Sequence, residues 1–155
     1  MHMAESRASD AEVLAHHLVL PRDANHYGTL YAGVLVSLAL EAGYSTAFRA
    51  AGLNANLVLK RVLDLRCYEP VPVGTVIQIR GREIHRARAH IIVGLVGAAR
   101  ADHESSWMDG LMQFVQVDST GRPVPLADGF EGDSVVLDLP WSLLRDRALK
   151  LLHIR

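Results

Sequence analysis

Residues 23 to 43 read "DANHYGTLYAGVLVSLALEAG", a run of Asp, Asn, His and Gly that passes straight into an apolar stretch. The side chains in its first half are of the kinds that hold or polarise a substrate. The amide of Asn25 both donates and accepts, so it can orient a water or a carbonyl, and it can equally bond its own loop backbone. His26 carries the side chain that changes charge near neutral pH, or is simply exposed on a loop. The apolar stretch predicts a helix from residue 32. The first N–H groups of a helix have no partner inside it, so Ala32 and Gly33, with Tyr31 beside them, stand where an oxygen gaining negative charge would be held. Gly33 has no side chain to block that approach; the same feature would let the helix pack closely on a strand.

Glu41 is the only charge near the middle of that stretch. Withdrawn from water between subunits, its carboxyl would gain a raised pKa and could act as a general base. Ser37, Glu41 and Ser45 also recur at four-residue spacing, which fits a polar stripe facing solvent or an interface. Asp64, between Leu63 and Leu65, is a second acid able to reach such a cleft, or belongs to a solvated strand face. Arg80, Arg82, Arg86 and Arg88 with His85 cluster closely enough to bind phosphates, for which the planar guanidinium is suited; an ordinary solvated edge has the same composition. No aromatics are interleaved with these arginines, which argues against nucleic acid.

Other chemistries find no residues to carry them. A G-x-S-x-G elbow is absent, and Cys67 falls within a strand-like segment, where a thiol is usually inert. "GTLYAG" is followed by Val34 and Leu35 where a phosphate loop needs Lys and Ser or Thr. The eight histidines show no zinc spacing with a third ligand nearby, so no metal is expected.

The elements that must position these groups follow from pattern. Residues 12 to 20 alternate as a strand and Pro21 ends it; 22 to 31 have loop composition; the helix runs from 32 to about 51, where Gly52 stops it. Strand-like segments follow at 57–67, 75–85, 88–99 and 105–118, the last three joined by links short enough for hairpins, so the sheet should be mostly antiparallel. In the first of these, Leu57, Leu59, Leu63 and Leu65 alternate with Lys60, Asp64 and Arg66 as a half-buried strand would. A helix apolar on nearly every side must be wrapped, which calls for a curved sheet, with a second subunit closing what remains. Residues 127–155 read as an exposed connection followed by an amphipathic helix with Pro140 in its first turn and Leu144, Ala148 and Leu151 on one stripe. Residues 1–11 are expected to be a disordered tail.

Composition sets the outer bounds. The 155 residues suit one domain, residues 12–126, with the tail and the C-terminal connection outside it. A formal charge of −1 gives no field to attract nucleic acid or an anionic membrane. One cysteine fits a reducing compartment, and no stretch is long and apolar enough to span a bilayer, so a cytoplasmic protein is expected.

Three segments together resemble the acyl-CoA thioesterases of the hotdog superfamily: "LPRDANHYGTLYAG" at the helix entry, "YEPVPVGT" (68–75) between strands, and "SWMDGLMQFVQVDSTGRPVPL" (106–126) at the last strand and its exit. The resemblance spans about residues 18 to 126. It implies an α+β hotdog fold, with a long central helix wrapped by a curved, mostly antiparallel five-stranded sheet, and an acyl-CoA or acyl-carrier thioesterase working at a dimer-interface cleft. It also implies an assembly of two or more copies and coenzyme A as part of the substrate, with no separate cofactor. In these terms Ala32 and Gly33 would hold the thioester carbonyl, Asn25 would position it, and Glu41 would be the base, with Asp64 in reserve. Tyr31, His26, Arg86 and Arg88 would contact the substrate. One position departs from the family. The helix acid usually stands seven residues after the second Gly, which here is Leu40; Glu41 lies one position on, about 100° around the helix. A related reading is therefore a hotdog module that binds acyl thioesters without hydrolysing them.

Overall fold

A computed structural model describes residues 12–52, 54–98, 105–127 and 136–153. The tail expected at 1–11 and part of the connection expected after 127 lie outside the described residues. Five strands, β1 (Val13–Leu18), β2 (Leu57–Cys67), β3 (Val76–Arg86), β4 (His90–Ala98) and β5 (Met108–Gln116), form one antiparallel sheet in the order β1-β3-β4-β5-β2. Helix α1 (Ala32–Ala51) packs on one face of the sheet and α2 (Trp141–Leu151) on the other.

Both faces of the central strands are therefore covered, which explains why β4 reads as an almost unbroken apolar run rather than an alternation. Ile91, Val93 and Leu95 face α1 in the main core with Met108, Met112 and Phe114, while Ile92 and Val96 face α2 with Leu111, Trp141, Leu144 and Ala148. On α1 the sheet-facing stripe is Leu35, Ala39, Ala42, Gly43, Thr46 and Ala47. These residues are mostly small, so the helix lies close to the strands; where it crosses β3, Gly81 stands beneath Thr46, and a β-carbon there would collide with the Thr46 hydroxyl.

The sheet of one chain covers one side of α1 only. Val36 and Tyr44 remain exposed along the opposite stripe, beside Ser37, Glu41 and Ser45. The helix bounds match expectation, and the β3–β4 and β4–β5 connections join antiparallel neighbours as the short links require.

Strand β2 does not keep the alternation expected of it. Its register against β5 shifts between Leu59 and Arg61 and again between Val62 and Asp64. Each irregularity adds a residue on one strand, and one added residue exchanges the faces of everything after it. As a result Leu57 and Leu65 pack toward α1, Leu63 packs on the α2 side, and Leu59 is exposed. On α2 the buried stripe is Trp141, Leu144 and Ala148; Leu151 is exposed and Leu152 packs instead. Among the described residues no helix is long and apolar enough to cross a membrane.

Candidate active site

The loop that delivers the chain to α1 is tied down at several points. The Tyr31 N–H donates to the Asp23 carbonyl at 2.8 Å and the Leu30 N–H to the Val71 carbonyl at 2.8 Å. Asn25 organises the tip: its Oδ1 accepts the N–H groups of Tyr27 (3.0 Å) and Thr29 (3.2 Å), and its Nδ2 donates to the Thr29 hydroxyl at 3.0 Å. Of the two roles open to Asn25 in the sequence, the structure displays the loop-bonding one. His26 is exposed at the tip, its ring 3.9 Å from that of Tyr27.

Helix α1 begins without a cap. Tyr31 at the cap position makes no side-chain capping hydrogen bond, and the first turn holds no acidic residue. The first intrahelical bond runs from the Leu35 N–H to the Tyr31 carbonyl, so the N–H groups of Ala32, Gly33 and Val34 precede it. An uncapped, uncompensated helix start favours a negative oxygen. Ala32 and Gly33 are both exposed there. The Tyr31 ring lies over Gly33: a β-carbon added at Gly33 would come within 2.5 Å of the ring. Gly33 thus makes room for a side chain of its own loop, and ring and helix start together form one wall.

Further along the helix a groove of about 280 Å³ runs between β1 and α1, lined by His16, His17, Leu38, Glu41, Ser45 and Ile77 among others. Glu41 is exposed, and among the described residues its carboxylate has no partner. Leu40 turns the other way and packs against the main core. A wider hollow of about 680 Å³ opens further along the helix at Tyr44, Phe48 and Arg49.

Asp64 and Arg86 do not join this constellation. Asp64 faces α2, on the side of the sheet away from α1, where it meets Arg147 at 3.4 Å and Arg66 at 2.8 Å. Arg147 also binds Asp109 through two hydrogen bonds of 2.7 and 3.2 Å, so Asp64 belongs to the ionic fastening of α2. Arg86 pairs with Glu83 at 2.7 Å and donates to the Ala50 carbonyl at 2.8 Å. That carbonyl is at the far end of α1, roughly 27 Å from Ala32 at 1.5 Å per residue. The basic cluster seen in the sequence is dispersed in the fold. Arg80 binds Glu12, Arg82 meets Asp138, and a register shift between Glu83 and His85 separates them from Arg86. Arg88 is exposed and, among the described residues, forms no ion pair.

One pair escaped the sequence reading. His17, at the inner end of β1, places Nε2 2.8 Å from Asp23 Oδ2. Asp23 is buried, and the same oxygen accepts the Leu20 N–H at 2.9 Å. The Leu20 N–H first, and His17 second, hold the Asp23 carboxyl below the usual carboxylate range. No motif announces a strand histidine and a loop aspartate six residues apart; the turn at Pro21–Asp23 brings them together.

Because the folded-state pKa of Asp23 is depressed, its contribution to stability is complete above the unfolded value and is lost as pH falls through the folded one. Asp23→Asn should therefore be less stable than the native chain at pH 7 and should lose less on acidification below about pH 4. Urea denaturation at the two pH values measures both differences, and equal losses in the two proteins would contradict the assignment.

No family model matches the chain, and no curated protein matches it in sequence. Solved structures do match. An acyl-CoA hydrolase from Staphylococcus aureus, solved with butyryl coenzyme A, coenzyme A and coenzyme A disulfide, aligns with a TM-score of 0.79 at 21% identity, over 94% of this chain and 84% of that one. An acyl-CoA hydrolase from Bacillus cereus aligns at 0.76 and 19% identity, over 96% and 88%. A hexameric thioesterase from Yersinia pestis aligns at 0.67 and 25% identity, over 74% and 94%. A long helix laid on a five-stranded antiparallel sheet, matched to these structures over most of its length, identifies the chain as a hotdog-fold protein of the architecture seen in acyl-CoA hydrolases.

Proposed function

We propose that this chain is a cytoplasmic hydrolase of acyl-CoA or acyl-carrier thioesters, working at a cleft completed by a second copy of itself. The observation that carries this reading is the uncapped, exposed start of α1 at Ala32 and Gly33, on the same helix that lines a groove with Glu41, in a fold whose solved members include acyl-CoA hydrolases. Preorganised N–H groups aimed at an oxygen that gains charge are commonly the largest single contribution to acyl transfer. In this reading the N–H groups of Ala32 and Gly33 receive the thioester oxygen, the Tyr31 ring flanks it, and Asn25 shapes the loop that presents them. Glu41 supplies the free carboxylate of the groove. His26, exposed at the tip of that loop, is available to the phosphates of coenzyme A, whereas Arg88 lies in the β3–β4 turn beside Arg86 and would reach them only from a second copy.

A second copy is supported by what one chain leaves open. Among the described residues the β2 edge of the sheet is unpaired and carries exposed Val58, Leu59 and Val62, and α1 shows an uncovered stripe with Val36 and Tyr44. Such edges and faces are ordinarily paired or covered. The Yersinia pestis relative is a hexamer.

The test is a panel of acyl-CoA esters with released thiol detected. The native chain should turn over at least one ester, and Glu41→Ala should lower kcat/KM by about tenfold or more, an energy of about 1.4 kcal/mol. Leu40 favours a second reading. In the Staphylococcus aureus hydrolase an Asn and an Asp fifteen positions apart were each replaced by alanine; fifteen positions after Asn25 stands Leu40, packed against the core. Binding of the esters with no release of thiol would establish a non-catalytic acyl-thioester module instead.

A further inference from the structure

Leu40 leaves the helix without an acid in its expected place, and the groove between β1 and α1 is lined by His17, half of a titratable pair with Asp23 for which no role has been assigned. We propose that the His17–Asp23 pair is the proton acceptor of this site: His17 activates the attacking water, Asp23 fixes its ring, and Glu41 contributes charge rather than taking the proton. The inference rests on the hydrolase reading and specifies its chemistry.

The geometry supports each part. A carboxylate only accepts hydrogen bonds, so the 2.8 Å contact places the ring proton on Nε2 and leaves Nδ1 with its lone pair. Among the described residues Nδ1 has no partner, and His17 lines the same groove as Glu41. Asp23 already accepts the Leu20 N–H, and its depressed pKa keeps it ionised at neutral pH. The pair is tied to the entry of α1, because the main-chain oxygen of Asp23 accepts the N–H of Tyr31, the residue before Ala32. A histidine oriented by a buried carboxylate is an arrangement that serves acyl transfer on unrelated folds.

Stepwise, His17 Nδ1 takes a proton as the water oxygen bonds to the thioester carbonyl carbon, whose oxygen becomes negative against the α1 start. That intermediate collapses, the C–S bond breaks, and the departing thiolate takes the proton from the imidazolium. Acid and thiol are the products, one water is consumed, and no redox change occurs. The charged and titratable groups around His17 are Asp23 and neighbouring Arg22 from the turn, Glu41 from α1, and His16 on its own strand, bonded to Gln78 of β3.

His17→Gln can still donate to Asp23 and cannot accept the proton. It should lower kcat/KM toward the best ester of the panel by about 10²-fold, within the usual range for a general base. KM and the melting temperature should stay near native, and the neutral-range limb of the pH–rate profile should disappear. In the native chain the ionisation controlling that limb should coincide with the titration of the His17 ring followed by ¹H–¹⁵N NMR, which requires no variant. If His17→Gln keeps the limb and most of the rate, or if the ring titrates far from the kinetic ionisation, the pair is not the base and the hydrolase reading stands without it. If the native chain turns over no ester of the panel, both readings fail.

Discussion

Gly33→Val is expected to lower kcat/KM for thioester hydrolysis by about 10²-fold or more, the scale of losing an oxyanion donor, because its side chain blocks the approach to backbone N–H groups that themselves remain, with little change in stability. The substitution acts twice at one place. Its β-carbon would come within 2.5 Å of the Tyr31 ring, which must swing away, and its two methyl groups would then stand beside the N–H groups proposed to receive the oxygen. Gly33 is exposed in the first turn of α1, where valine has helical dihedrals available and helix propensity favours it slightly over glycine. The expected melting temperature is therefore within a few degrees of native, given about 2 to 4 °C per kcal/mol for a chain of this size. Gly33→Ala also displaces the ring but leaves the N–H groups more accessible, so it should lie between native and Gly33→Val. A Gly33→Val protein with native turnover would mean that the carbonyl is held elsewhere.

Trp141→Ala should cost about 3 to 5 kcal/mol, the usual range for truncating a fully buried aromatic side chain, and lower the melting temperature on the order of 10 °C. Trp141 is 1% exposed and sits in the core between the sheet and α2 with Ile84, Ile92 and Leu144. Its indole N–H donates to Glu12 at 2.8 Å, and the Arg80 guanidinium lies 5.5 Å from the ring centre while binding the same carboxylate. Gly94 permits the close approach: a β-carbon there would meet both Trp141 and Leu144 at 3.3 to 3.4 Å. The substitution opens a cavity, leaves Glu12 with one partner fewer, and loosens a short helix that has no stability of its own. The groove is on the opposite face of the sheet, so turnover at 25 °C should remain near native. Thermal denaturation beside a thiol-release assay separates the two effects. A loss below about 1 kcal/mol would show that α2 is held chiefly by the Arg147–Asp109 pair rather than by this packing.

Several residues show how much of this was legible from the chain alone. The central helix could be bounded at 32–51 because an apolar run and a glycine stop are local signals, independent of what the helix packs on. The α1 start and Gly33 were likewise visible, since an uncapped helix beginning with small residues is written in a few adjacent letters. Asp64 was not: whether it faces α1 or α2 depends on the two register shifts in β2, and its partner Arg147 is 83 residues away. The arginine cluster at 80–88 was legible as composition and misleading as a site. Arg80 and Arg82 share the α2 face, the register shift between Glu83 and His85 sends Arg86 toward α1, and each of the three found its own carboxylate.

By itself the sequence determined that a long apolar helix must lie on an antiparallel sheet, and which end of that helix could receive a negative oxygen. Period and turn chemistry act over a few residues and do not require the fold to be known. Only the tertiary structure decided which charges meet: Asp23 with His17 beside the helix start, Asp64 and Asp109 with Arg147 behind the sheet, Glu41 alone in its groove. Ion pairs and hydrogen bonds depend on separations of a few ångströms between side chains from different elements, and a single extra residue in a strand is enough to send a side chain to the other face.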